Sequence, residues 1–306
     1  MFSRSAACFL VYLFTVACLY SNSDTRDWTL SSGKSFRAEL ISYDSTTEQV
    51  TLKFNDEENR NYRFQDFGVI DQAWLVEWVE FEEQLHLQIE EMSGTFEHIV
   101  TTGAYPTDLY VYYPSSAENS SRALPALILF HPGGKAARYC LRHMEAAELS
   151  GMIIIACNSF RNTGDDFVQE SAMLARFKDI FPEILERVRL DRERIFMGGT
   201  SGGAWKAFHY SAWVKYPWAG IYSNVGWLGG QKYYNLPYPS GMRVAIVNGN
   251  QDKAANNVVQ ADSRILQDAG NKVAVMMFEG AHQVPPVDAQ VKAFNWLLQK
   301  EDFEEL

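Results

Sequence analysis

The chain has 306 residues, 47% hydrophobic and 14% aromatic, with 27 Lys and Arg against 38 Asp and Glu for a net charge of -11. This composition excludes wholesale disorder and allows a sizeable core, in one large domain or in a medium domain with a small companion. Basic residues form no cluster, which argues against nucleic acid as a partner, because neutralising phosphates needs grouped Lys and Arg.

In chain order, MFSRSAACFLVYLFTVACLYSNSD places one Arg before a mostly apolar run, followed by small and polar residues. That order predicts an export signal over residues 1–22, and the run is short for a membrane span. The expected location is secreted or periplasmic, with no stable membrane span after cleavage; an uncleaved anchor is the rival. Cys18 after Thr-Val-Ala leaves a lipoprotein open. Cys8 and Cys18 fall in the signal. Cys140 and Cys157 form either one disulfide or two buried thiols.

Residues 24–70 read as short strands, SFRAELISYD, QVTLKFND and NRNYRFQDF. Apolar side chains alternate at Val50, Leu52 and Phe54 and again at Tyr62 and Phe64, with polar turns between. The pattern predicts a small antiparallel barrel. Residues 71–94 read as a helical linker, with Trp74, Leu75, Trp78, Val79, Leu85 and Leu87 at helical spacing and Ser93-Gly94 as the stop. From about residue 95 to 306, near-continuous apolar strands alternate with helices. The strands are LYVYYP, ALILFHPGG, MIIIACNS, RIFMGG, GIYSNVGW, RVAIVNG and KVAVMMFEG; FVQESAMLARFKDIFPEILERV and DAQVKAFNWLLQK read as helices. This alternation predicts an α/β domain with a mostly parallel sheet and helices on both faces.

Within it, FMGGTSGGAW puts Ser201 in a G-x-S-x-G turn between a strand and a helix. Glycines permit the tight turn, and a helix N-terminus aims N–H groups at developing negative charge. Ser201 is the candidate nucleophile. His282, in the loop GAHQVPP after a late strand, is the candidate base, whereas His209 lies two turns down the same helix as Ser201 and reads as an ordinary helix residue. Asp252 follows the strand RVAIVNG and is the candidate acid; a loop Asp capping the next helix is the alternative. Gly133 and Gly134 in LFHPGGKA, with Gly202 after the nucleophile, are the candidate oxyanion donors, with His131 as a brace for that loop. Trp227 and Tyr233 are candidate substrate contacts, with core packing equally open for each. No metal-ligand spacing and no dinucleotide or phosphate loop stands out, so no cofactor is expected.

The order FHPGG, DRERIFMGGTSGGAW, VNGNQD and FEGAHQVPP…AFNWL resembles the α/β-hydrolase superfamily. More particularly, it resembles the exported esterase branch that includes polyhydroxybutyrate-depolymerase-like and feruloyl-esterase-like proteins. Pro132 stands where that family usually has Gly, and Asn248-Gly-Asn-Gln is not its usual approach to the acid. Residues 26–72, through Arg26, Trp28, Gly33, Phe36, Ala38, Leu40, Val50, Leu52 and Asp71-Gln72, resemble the Src-homology-3-like homology domain of a yeast actin-assembly adaptor. That resemblance implies a module for a peptide or polysaccharide ligand, or a structural cap. The combined expectation is a serine hydrolase of small or polymer-attached carboxylic esters. A serine peptidase of the same fold and a non-catalytic scaffold are the alternatives.

Overall fold

A computed structural model describes residues 25–54, 58–69, 71, 72, 75, 76, 91–118, 120–134, 136–162 and 167–300. The expected export signal and most of the expected helical linker lie outside them. The chain divides into two compact units, Met1–Glu91 and Met92–Leu306.

In the first unit, β1 (Thr25–Thr29), β2 (Ser35–Asp44), β3 (Gln49–Lys53) and β4 (Asn59–Arg63) form an antiparallel sheet in that order. The alternation seen in the sequence becomes sidedness. Val50 and Leu52 are fully buried with Trp28, Ala38 and Phe67, while their neighbours on the strand face outward. Trp28 donates its ring N–H to the Ala38 carbonyl (3.0 Å), so its polar edge is satisfied inside the core. A bridge between Leu30 and Phe67 pairs the residue after β1 with the segment after β4. Asp71 accepts the Thr29 N–H at 2.7 Å.

The second unit is built on an eight-stranded sheet: β5 (Thr95–Val100), β6 (Asp108–Tyr113), β7 (Leu124–Phe130), β8 (Ile153–Cys157), β9 (Leu190–Thr200), β10 (Gly220–Asn224), β11 (Arg243–Gly249) and β12 (Lys272–Phe278). Their order is β12-β11-β10-β9-β7-β8-β6-β5. β5 and β6 run antiparallel to the rest, and all other pairings are parallel. The strands are continuously apolar because both faces are covered. On one face Ile128, Ile155, Met197, Ile221 and Val244 share a core with Phe177 and Ile180 of α2 (Phe167–Arg187), Phe208 of α3 (Gly202–Trp213) and Leu266 of α5 (Val259–Asp268). Each such buried side chain contributes about 1.5–3 kcal/mol by leaving water. The opposite face packs on α1 (Ala136–Ser150) and α6 (Val287–Leu297). Pro182 sits inside α2, which continues through it. Cys140 and Cys157 are free, buried thiols, and burial raises the pKa of both far above the ordinary range.

Two elements were not anticipated. One is the edge strand β5, whose burial alternates TFEHIV between exposed and covered positions. The other is α1. Its outward stripe, Arg138, Arg142, Glu145 and Leu149, mixes charge with an exposed leucine, and its inward face includes His143 among small residues. His143 is completely buried. Its Nδ1–H donates to the Tyr139 carbonyl at 2.7 Å, its ring lies between Tyr139, Tyr222 and Phe294, and its Nε2 has no partner among the described residues. Burial disfavours the charged ring and pulls its pKa from 6.5 down to about 4.

Candidate active site

β9 ends at Thr200 and α3 starts at Gly202, so Ser201 makes the turn alone. Its backbone sits at φ 54° and ψ -118°, a region that costs a non-glycine residue roughly 1–3 kcal/mol. The surroundings hold it there. Ser201 N–H donates to the Asn224 carbonyl (2.9 Å), and Ser201 C=O accepts from Trp205 (3.2 Å). Just beneath, the Thr200 hydroxyl meets the Tyr139 hydroxyl at 2.5 Å and accepts from Asn224 Nδ2 at 2.6 Å. Gly199 and Gly203 let β7, β9 and α3 converge, since a Cβ on either would run into the Phe130 carbonyl oxygen.

Loops after β11 and β12 are joined to each other. Asn250 N–H donates to Phe278 C=O and Gln251 N–H to Gly280 C=O, each at 2.9 Å, and Gly280 N–H donates to Asn250 Oδ1 at 3.2 Å. This junction brings Asp252 to His282. Asp252 Oδ1 accepts the N–H groups of Ala254 and Ala255 at 3.1 and 3.2 Å, capping α4 (Lys253–Asn256). Its Oδ2 accepts from His282 Nδ1 at 2.7 Å. Capping and orienting, read as alternatives in the sequence, occupy one oxygen each. An ionised carboxylate only accepts, so the imidazole proton belongs on Nδ1 and Nε2 keeps its lone pair. The Asp252 side chain is 3% exposed and that of His282 41%, so a buried anchor carries a solvent-facing ring.

Trp227 lies beside this pair, its ring centre 6.2 Å from that of His282. The preceding Gly226 packs on the elbow, where an added Cβ would stand 3.2 Å from Ser201 O. Gly226-Trp227 thereby links the elbow to the imidazole. No hydrogen bond among the described residues joins the Ser201 hydroxyl to the His282 ring. Tyr233 is placed elsewhere. It packs against Trp205 and His209, one and two turns down α3 from Ser201, and burial lowers the His209 pKa. Beneath the same helix, fully buried Lys206 pairs with Glu170 at 2.5 Å, and the Tyr210 hydroxyl donates to the other Glu170 oxygen at 3.0 Å. Burial lowers the Lys206 pKa, with Glu170 opposing it.

The glycine loop departs from expectation. Gly134 N–H donates to the His131 carbonyl at 2.9 Å, and Gly133 N–H donates to His131 Nδ1 at 3.0 Å. Both donors expected to face an oxyanion are therefore engaged inside the loop. Pro132 is the physical cause: its fixed φ sets up a β-turn that closes from His131 to Gly134, with Gly134 at φ 72°. Gly202 differs. As the first residue of α3 it has no intrahelical acceptor for its N–H. Sequence reasoning also passed over Tyr139 and Asn224, which brace the elbow from distant elements with no spacing signal. Among the described residues no group of His, Cys, Asp or Glu is arranged to hold a metal ion.

No family model matches the chain, and no curated protein matches it in sequence. Solved structures do match in fold. An esterase from Pyrobaculum calidifontis is similar with a TM-score of 0.56 at 12% identity, over 72% of this chain and 90% of that one. Esterase LipW from Mycobacterium marinum has a TM-score of 0.53 at 15% identity, over 71% and 85%. A dienelactone hydrolase from Anabaena variabilis has a TM-score of 0.51 at 13% identity, over 68% and 96%. With the strand order above, these likenesses establish the α/β-hydrolase fold.

Proposed function

We propose that the second unit hydrolyses carboxylic esters, with Ser201 as nucleophile, His282 as base and Asp252 as the group that orients it. The observation that carries this reading is the 2.7 Å contact of Asp252 with His282 Nδ1, beside a serine held at φ 54° at a strand-to-helix turn. Ser201 Oγ attacks the ester carbonyl carbon while His282 Nε2 takes its proton. The carbonyl oxygen becomes an oxyanion at the start of α3, where the Gly202 N–H donates to it. His282 then passes the proton to the departing alcohol. Water, deprotonated by the same nitrogen, releases the acid and frees the serine. Throughout, Asp252 keeps the imidazole in the productive tautomer and offsets its transient positive charge.

The substrate in this reading is a small or polymer-attached ester taken in an open cleft. The segment between β10 and β11 supports that choice, because it is short and is tied down by hydrogen bonds. Asp262 accepts the Leu228 N–H at 2.8 Å, and the Tyr238 hydroxyl donates to the Tyr233 carbonyl at 3.0 Å. Exposed His282 and half-buried Trp227 form the rim. The test is turnover of p-nitrophenyl acetate and butyrate by the full chain and by Ser201→Ala, with fluorophosphonate labelling. Turnover and labelling at Ser201 that both vanish in the variant support the reading. Equal rates in the two proteins, with no labelling, refute it.

A further inference from the structure

Ester attack turns a carbonyl into an oxyanion, and a single N–H leaves that charge poorly stabilised. Gly202 supplies one donor. The backbone groups of Gly133 and Gly134 are committed to His131. A further donor must therefore come from another element at the mouth of the site.

The loop after β8 supplies a candidate. It turns through Ser159 at φ 68° and returns to the glycine loop, where the Asn162 N–H donates to the Pro132 carbonyl at 2.7 Å. This bond fixes the Asn162 backbone beside the β-turn. Its side chain reaches across to the elbow: a Cβ built on Gly202 would overlap the carboxamide, meeting Oδ1 first and standing 2.5 Å from both Cγ and Nδ2, so the amide's oxygen edge lies on Gly202 and its nitrogen is free to face outward. The amide thus lies against the Cα of the residue whose N–H faces the reacting oxygen. Asn162 remains exposed to solvent, as a group that meets substrate must be.

We propose that the Asn162 carboxamide is a catalytic oxyanion donor, acting with the Gly202 N–H in place of the turn-bound N–H groups of Gly133 and Gly134. The inference rests on the ester-hydrolase reading of Ser201. When Ser201 Oγ bonds to the carbonyl carbon, the π pair moves onto the carbonyl oxygen and the serine proton goes to His282 Nε2. Asn162 Nδ2–H then donates to that oxygen, and the contact relaxes when the C=O bond re-forms. A side-chain donor also explains why position 202 is glycine, since any side chain there would evict the amide.

The experiment compares the full-length parent with Asn162→Ala and with Asn162→Asp, which keeps the shape and removes the donor. Both variants are measured for kcat and KM on p-nitrophenyl butyrate and for inhibition by an alkyl trifluoromethyl ketone, whose serine adduct carries the oxyanion. Circular dichroism and an unchanged urea midpoint certify the fold of the variants, and fluorophosphonate labels Ser201 in the parent. The expected result is a fall in kcat of about 10²–10³-fold with KM within about twofold, and a loss of ketone affinity that tracks kcat/KM. An active parent with variants of unchanged kcat overturns the inference and leaves the esterase reading standing. So does a rise in KM alone. A parent that neither turns over ester nor takes the label overturns the esterase reading, and the inference with it.

Discussion

Replacing His143 with Phe should remove an acid-sensitive contribution to folding that this buried ring makes. In the folded protein its pKa is drawn down to about 4 by burial, from an ordinary value of 6.5. The unfolded chain therefore binds a proton more readily, and the neutral ring's contribution is fully present above about pH 6.5 and lost as pH falls toward 4. Linkage makes the loss about 2.5 kcal/mol between about pH 7.5 and about pH 4.5. Burial outweighs the Tyr139 carbonyl, which favours the charged ring by accepting from Nδ1–H; the ring otherwise faces Tyr139, Tyr222 and Phe294, and nearby Arg142 and His131 oppose protonation. The assay is urea denaturation of parent and His143→Phe across that range. Subtracting the two unfolding free energies cancels the carboxylates they share. The difference should shift against the parent by about 2.5 kcal/mol on acidification. A difference flat within about 0.5 kcal/mol would refute the reasoning, showing that the ring gains a proton-compatible partner in solution.

Two further outcomes follow from the described contacts. Asp252→Asn keeps a good helix cap but loses the acceptor for His282, so kcat should fall by about 10³–10⁴-fold with little change in urea midpoint. Asp252→Ala should add a stability loss of about 1 kcal/mol, and paired kinetics and melts separate the two duties. Glu170→Ala strands the buried Lys206 ammonium and should cost about 3–5 kcal/mol, whereas Glu170→Ala with Lys206→Met should recover most of it; urea melts of the single and double variants decide.

The sheet, the elbow and the loops bearing Asp252 and His282 were legible because each leaves a local mark. Continuous apolar runs bounded by turn residues mark strands covered on both faces, and G-T-S-G-G marks a turn only small residues permit. The region of α1 left no such mark, because Leu149 is exposed and His143 is buried, which blurs the periodicity. The expectation for Gly133 and Gly134 left out of account the turn that Pro132 sets. Glycine frees a backbone N–H from obstruction, but Pro132 decides where that N–H points, and it points back to His131. The place of Asn162 was readable, after the carboxyl end of a strand beside the one feeding the glycine loop. Tyr233, for which substrate contact and core packing stood equally open, packs against Trp205 and His209.

Ser201, Asp252, His282, Gly133 and Asn162 all follow the carboxyl ends of parallel strands. The turns at Gly241 and Gly270, both exposed, enter β11 and β12 from the other edge and are bonded to each other through Gly241 N–H and Gly270 C=O at 3.1 Å. The proposed site and these connections therefore occupy opposite poles of the sheet. Divergence, insertion or a surface tether at the amino-end turns leaves the proposed site untouched, and a molecule held by that pole presents these residues outward.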